Sequence, residues 1–120
     1  MTKATEENIQ RFWSDNPMIH PGGDFEWRSA TPEEIYAHVE DLFRAEKGTH
    51  MQGAEAPLLD NFIDYASLKD ATVLEIGFGV GWLINEMSKF AKDAQGIDLS
   101  KSHFKLSSHR FRDTPNVNLQ

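Results

Sequence analysis

The feature that most restricts the fold is a short apolar run that leads into three alternating glycines, Val73-Leu74-Glu75-Ile76-Gly77-Phe78-Gly79-Val80-Gly81. An apolar run of this length, bounded by glycine, is typical of a buried parallel strand. The segment that follows, residues 82–90, has apolar residues at helical spacing. Because glycine lacks a Cβ, the turn between the two elements can approach a ligand closely. We therefore predict a strand, a glycine turn and a helix that form a ligand site built largely from backbone.

The spacing of the glycines bears on which ligand this turn accepts. The dinucleotide-binding pattern is G-x-G-x-x-G, with its last glycine placed for close helix packing. Here the third glycine comes one residue early, and Trp82 occupies the position of that last glycine. The Glu75 carboxylate would repel a pyrophosphate and could accept hydrogen bonds from an ammonium group. The pattern favours a cationic cofactor and leaves a nicotinamide- or flavin-dependent oxidoreductase with an unusual glycine turn as the alternative.

Two segments resemble the motifs of one family. Glu75-Ile76-Gly77-Phe78-Gly79-Val80-Gly81 resembles the E/D-x-G-x-G-x-G first motif of the class I S-adenosylmethionine-dependent methyltransferases, and Gly96-Ile97-Asp98-Leu99-Ser100 resembles their second motif. The separation of the two motifs agrees with the roughly 20 residues expected between a glycine turn and the acidic residue of the next strand. The cofactor-binding residues that this resemblance implies are Glu75, Gly77, Phe78, Gly79, Gly81, Asp98 and Leu99.

The resemblance also implies a role for each part. Glu75 and the glycine turn would hold the methionine end of S-adenosylmethionine, Asp98 the ribose hydroxyls, and Leu99 the adenine. Without the resemblance, a glycine turn also suits any tight strand-to-helix connection, and Asp98 also suits a helix cap near Ser100. Methyl transfer needs no protein nucleophile, because the sulfonium is already a strong electrophile. No catalytic residue is therefore assigned, and we expect a small-molecule methyl acceptor whose identity the sequence does not reveal.

The order of the predicted elements gives the fold class. We predict an α/β fold with a Rossmann-like parallel sheet, incomplete at about three strands and preceded by an N-terminal helical segment. Residues 1–70 would form the helical cap segment, and residues 71–120 the first half of an S-adenosylmethionine-binding domain. Before the glycine turn, we predict a helix after Thr5 that ends before Pro17, a loop through Pro21-Gly22-Gly23, a helix from Thr31 to Gly48, and a helix from about Pro57 with Leu58, Leu59, Phe62 and Ile63 buried. After it, we predict a helix from Ser100 to about Arg112 and a strand that starts at Val117-Asn118-Leu119.

The predicted sheet lacks a strand where the ligand is expected. A doubly wound sheet binds its ligand where the strand order reverses, next to the first strand. No counterpart of that neighbouring strand is present, so the chain resembles a truncated enzyme and its isolated form should be poorly soluble or self-associating. A non-catalytic half-Rossmann interaction module, completed by a partner, is the alternative. The sequence leaves the oligomeric state open. It also leaves open whether Trp13 and Trp27 close the site or simply pack the helical segment onto the sheet.

Composition restricts the partners. Twelve basic against 19 acidic residues give a net charge of −7, which offers no footprint for nucleic acid. Cysteine is absent and the histidines lack ligand spacing, so we expect no metal site. No apolar stretch suits a signal peptide or a membrane span, and we expect a soluble cytoplasmic protein. The basic residues Lys101, Lys105, Arg110 and Arg112 are interpreted as a solvated helix face, and His20, His38, His50, His103 and His109 as surface or capping residues.

Overall fold

The computed structural model describes residues 5–16, 25–45 and 55–120. In chain order these residues form α1 (Glu6–Asp15), α2 (Pro32–Ala45), a 3₁₀ helix (Tyr65–Leu68), β1 (Thr72–Ile76), α3 (Trp82–Ser88), β2 (Asp93–Ile97), α4 (Lys101–Arg110) and β3 (Val117–Leu119). The predictions made for Pro17, the loop at 21–23, Gly48, His20 and His50 lie outside the described residues.

The three strands form one parallel sheet in the order β1-β2-β3. Val73 pairs with Ala94, and Ala94 in turn pairs with Val117, so these residues share one face of the sheet. On that face, Ala94 packs with Phe78, Ile84 and Phe111 in a buried cluster that Val73 and Val117 border, which brings α3 and the end of α4 onto the same side. The architecture is α/β and consistent with an incomplete Rossmann-like fold, as predicted.

Capping side chains set the start of each longer helix. Thr31 accepts a hydrogen bond from the Glu34 amide at 3.2 Å, and the Glu34 carboxylate accepts one from the Thr31 amide at 2.7 Å. This reciprocal capping box begins α2 at Pro32, as predicted. Ser100 caps α4 by accepting from the His103 amide, and Thr5 caps α1. The strand over Val117–Leu119 is also confirmed.

The helix predicted from Pro57 is wrong. Residues 57–62 form turns, in which the amides of Phe62 and Ile63 both donate to the Leu59 carbonyl. Leu59 has a φ of 60°, a left-handed conformation that stops a right-handed helix at its first turn. Leu58 is buried beside Trp82, but Phe62 is 77% exposed, so the predicted stripe is split between core and solvent.

The N-terminal helices lie against α4. Ile35 and Val39 of α2 form a buried cluster with Val80, and Trp27 packs at its margin. The Tyr36 hydroxyl donates to the Leu106 carbonyl. At the C-terminal end of α1, Ser100 donates to the Trp13 carbonyl at 3.0 Å. These contacts fix both helices next to the elements that carry the glycine turn and Asp98.

The interpretation of the basic residues of α4 as a solvated face is wrong for Arg110. Its guanidinium donates to the Val80 carbonyl at 3.1 Å and lies 4.8 Å from the centre of the Tyr36 ring. Burial lowers the pKa of Arg110. Lys101, Lys105 and Arg112 are exposed, so only part of the predicted solvated face is solvated.

Candidate functional site

Three glycines with positive φ connect β1 to α3. Gly77, Gly79 and Gly81 have φ angles of 76°, 55° and 79°, values that L side chains rarely adopt. The Gly77 amide donates to the Ile97 carbonyl at 2.7 Å, which ties the turn to the end of β2. A Cβ built on Gly77 or Gly79 would meet nothing within 4 Å, because both α-carbons face open space. Both glycines therefore leave room for a ligand to approach the backbone, and their role as cofactor-binding residues stays a prediction.

Gly81 has a different role from the other two glycines. A Cβ at this position would lie 2.7 Å from the Phe111 ring and 3.1 Å from the Ser107 hydroxyl. Gly81 does not line the cavity described below. The missing side chain therefore allows α3 to pack closely on α4, and the structure does not bring Gly81 together with the other predicted cofactor-binding residues.

Glu75 lies in β1 with its carboxylate at the N-terminus of α3. Burial raises its pKa to about 7, although the Ile84 backbone amide donates a hydrogen bond that acts in the opposite direction. The negative charge of Asp98 adds to the rise. Oε2 is shielded from solvent and has no hydrogen-bond partner among the described residues. An acidic side chain is thus kept in the site with one oxygen unsatisfied.

Asp98 follows β2 and joins three parts of the site. Its Oδ2 accepts from the Gly79 amide at 2.8 Å and lies 3.3 Å from His103 Nδ1, while Oδ1 accepts from the Ser100 amide at 2.7 Å. Burial acts to raise the pKa of Asp98, but the hydrogen bonds from His103, Ser100 and Gly79 outweigh it and lower the pKa. Asp98 therefore combines the capping role at Ser100 with a position directly beside the glycine turn.

His103 is the site residue that the sequence analysis missed. It was expected to be a surface or capping residue, but it is only 5% exposed and contacts the Asp98 carboxylate. The signal was its place three residues after the Ser100 cap, since side chains in the first turn of a helix can face back toward the preceding strand end. His109, by contrast, is exposed and pairs with Glu33 at 2.9 Å.

A cavity of about 450 Å³ opens at the carboxyl ends of β1 and β2. Glu75, Asp98 and His103 line it together with Gly77 and Gly79. Among the described residues, the remaining lining is apolar or aromatic and includes no lysine or arginine; it comprises Trp13, Val39, Phe43, Leu58, Ile76, Phe78, Val80, Trp82, Leu83, Ile97 and Leu99. The cavity therefore has two carboxyl groups and one imidazole in a wall that is otherwise apolar or aromatic.

The remaining predicted residues divide between the wall and the core. Leu99 is 45% exposed at the cavity, where an apolar ligand group can reach it. Phe78 also borders the cavity, but its side chain is 3% exposed and packs with Ile84, so any ligand contact would come from its main chain. Trp13 lines the cavity, whereas Trp27 packs with α2.

No group of three or more histidine, cysteine, aspartate or glutamate side chains in the described ranges is arranged to hold a metal ion. No helix within residues 5–16, 25–45 and 55–120 is both long and apolar enough to cross a membrane. Comparisons of the chain with protein-family models, curated proteins and solved structures found no match.

Proposed function

We propose that this protein is an S-adenosylmethionine-dependent methyltransferase that acts on a small-molecule acceptor in the cytoplasm. The observation that carries the proposal is the charge of the cavity. Glu75 and Asp98 both line it, the described wall includes no lysine or arginine, and His103 contacts Asp98 but is not a described partner of Glu75 Oε2. A ligand that combines a positive charge with a flat aromatic group complements such a wall, because the charge can pair with the carboxylates and the flat group can pack on the aromatic side chains. S-adenosylmethionine has a sulfonium and an ammonium group as well as an adenine.

The residues present fit this cofactor. The unsatisfied Oε2 of Glu75 needs a donor, and an ammonium group at the methionine end would supply one. The open α-carbons of Gly77 and Gly79 leave room for the cofactor to lie against the turn. Asp98 would accept from the ribose, and Leu99 would cover the adenine. The volume of about 450 Å³ lies within the range of about 300 to 1,000 Å³ that is usual for small-molecule sites.

The chain's own contribution would be positioning. The bound cofactor supplies an electrophilic methyl group, and transfer requires that an acceptor atom be aligned with it. The aromatic side chains Trp13, Phe43 and Trp82 border the cavity and would exclude water from this alignment. Glu75 would orient the methionine end of the cofactor, and Asp98 its ribose.

The same geometry disfavours a dinucleotide. Phosphate sites at glycine turns depend on free backbone amides and positive charge. Here the Gly77 amide donates to Ile97 and the Gly79 amide donates to Asp98. A pyrophosphate would displace these bonds and meet the Glu75 carboxylate.

Calorimetric titration tests the proposal. S-adenosylhomocysteine should bind the protein and NAD should not. Glu75→Gln, which keeps the shape and the acceptor oxygen for Ile84, should weaken S-adenosylhomocysteine binding at least about tenfold because the carboxylate partner of the ammonium is lost. Binding of NAD alone would support the oxidoreductase alternative, and binding of neither ligand would favour an interaction module.

A further inference from the structure

The Asp98 carboxylate has little capacity left for a ligand. A carboxylate offers about four lone-pair sites, two on each oxygen. Oδ2 faces both the Gly79 amide and His103 Nδ1, and Oδ1 accepts from the Ser100 amide. One site on Oδ1 is therefore left. A ribose presents two neighbouring hydroxyl groups, so a second acceptor is needed beside Asp98.

His103 supplies an unused nitrogen at this place. The ionised Asp98 carboxylate can only accept, so the proton of the contact belongs to His103 Nδ1. In the neutral imidazole, Nε2 then has a free lone pair and is an acceptor. Nε2 is buried and has no hydrogen-bond partner among the described residues, while the side chain lines the cavity and is 7% exposed. A buried acceptor without a donor is unfavourable until a ligand provides one.

We propose that His103 is a second acceptor for the cofactor ribose, with its Nε2 accepting the hydroxyl for which Asp98 has no free site. The inference rests on the proposed function, since it concerns the same cavity and the same cofactor. Asp98 then has two roles: it binds one hydroxyl, and it fixes the tautomer and orientation of the imidazole that binds the other. Nε2 is shielded from solvent, so the proposal requires the cavity wall beside it to open for the hydroxyl to reach it.

Two substitutions separate this role from a purely structural one. His103→Asn keeps a donor near the position of Nδ1, and so keeps the Asp98 contact, but removes the atom at Nε2. His103→Gln places an amide oxygen near the position of Nε2 but loses the Asp98 contact. The inference predicts that His103→Asn weakens S-adenosylhomocysteine binding about tenfold, whereas His103→Gln retains most of the affinity.

Deoxy ligands complete the test. The 2′-deoxy and 3′-deoxy analogues of S-adenosylhomocysteine each lack one hydroxyl, so for one of them wild type and His103→Asn should bind equally, because the interaction is already absent. Thermal melting of each variant without ligand reports whether it folds. If His103→Asn does not fold, wild type and His103→Gln decide. Both analogues should bind wild type about tenfold less tightly than the parent ligand, and His103→Gln, which keeps an acceptor near the position of Nε2, should show nearly the same two losses. A loss with only one analogue in wild type would overturn the inference.

The outcomes that overturn the inference are distinct. Wild type that binds S-adenosylhomocysteine together with an unchanged His103→Asn would remove His103 from the site but leave the proposed function intact. A loss in His103→Gln that equals or exceeds the loss in His103→Asn would assign the residue to holding Asp98 only. Wild type that does not bind S-adenosylhomocysteine would overturn the proposed function and this inference with it.

Discussion

Replacing Glu75 by glutamine should stabilise the fold at alkaline pH. Burial, as the largest cause, raises the pKa of Glu75 from 4.5 to about 7. A carboxyl group whose pKa is raised by folding has its full contribution to stability below its unfolded pKa and loses that contribution as the pH rises through the folded value. The difference between the two pKa values is about 2.5, which at about 1.4 kcal/mol for each pKa unit corresponds to about 3.5 kcal/mol. Glutamine has no charge to bury and keeps an oxygen for the Ile84 amide.

Urea denaturation of wild type and Glu75→Gln between about pH 5 and about pH 8 measures this effect. The stability of the variant relative to wild type should increase by about 2 to 3 kcal/mol over that range. Glu33→Gln is the matched control, because the pKa of Glu33 is lowered, chiefly by its hydrogen bond with His109, and its neutralisation should bring no such gain at alkaline pH. A stability difference between wild type and Glu75→Gln that stays constant from pH 5 to pH 8 would refute the reasoning.

The same carboxyl links pH to ligand binding. An ammonium group binds the ionised form of Glu75, so the affinity for S-adenosylhomocysteine should fall by up to about tenfold for each pH unit below about 7. Glu75→Gln should abolish that dependence. A wild-type affinity that is independent of pH through this range would show that Glu75 does not contact the ammonium group.

Three further predictions concern the turn, the carboxylate beside it and the sheet edge. Gly79→Ala should cost about 1 kcal/mol of stability because of its positive φ, and it should block ligand binding. Gly81→Ala should cost more stability because its Cβ meets α4. Calorimetry measures ligand binding and denaturation measures stability, and an equal loss of stability in both variants would contradict the prediction. Asp98→Asn should weaken ligand binding by about 1 to 3 kcal/mol, and unchanged affinity would reduce Asp98 to a cap. Leu74 is 56% exposed on β1, so Leu74→Lys should reduce self-association in light scattering, whereas a wild type that is already monomeric at high concentration would contradict this.

Local patterns were enough to predict much of the fold. The capping box at Thr31, the Ser100 cap and the apolar run into Gly77 each depend on residues that are close in sequence. Their structure could therefore be predicted without knowledge of tertiary contacts. The failure at Pro57 has the opposite origin. The apolar spacing from Leu58 onward suits a helix, but Leu58 is buried against Trp82 of α3, a contact that periodicity does not register.

The site divides in the same way. Glycine spacing and the acidic residue after β2 identified Gly77, Gly79 and Asp98, which the structure places around one cavity. The same spacing also included Gly81, because a motif does not distinguish a glycine that faces open space from one that faces Phe111. His103 was missed because its significance depends on a contact with Asp98, and a lone histidine in a sequence is usually a surface residue.

The unsatisfied atoms of the cavity support a binding site over a structural void. Glu75 Oε2, Trp82 Nε1 and His103 Nε2 are all buried without a partner among the described residues, and all three side chains line the same cavity. Each unsatisfied buried polar group costs the folded state about 1 to 3 kcal/mol. Apolar substitutes would fill the same space without that cost. Two acceptors and one donor around a cavity of about 450 Å³ are instead complementary to a ligand that has both donor and acceptor groups. Such a ligand would stabilise the folded protein by satisfying them, so ligand-induced thermal stabilisation should be smaller in variants that lack one of these atoms.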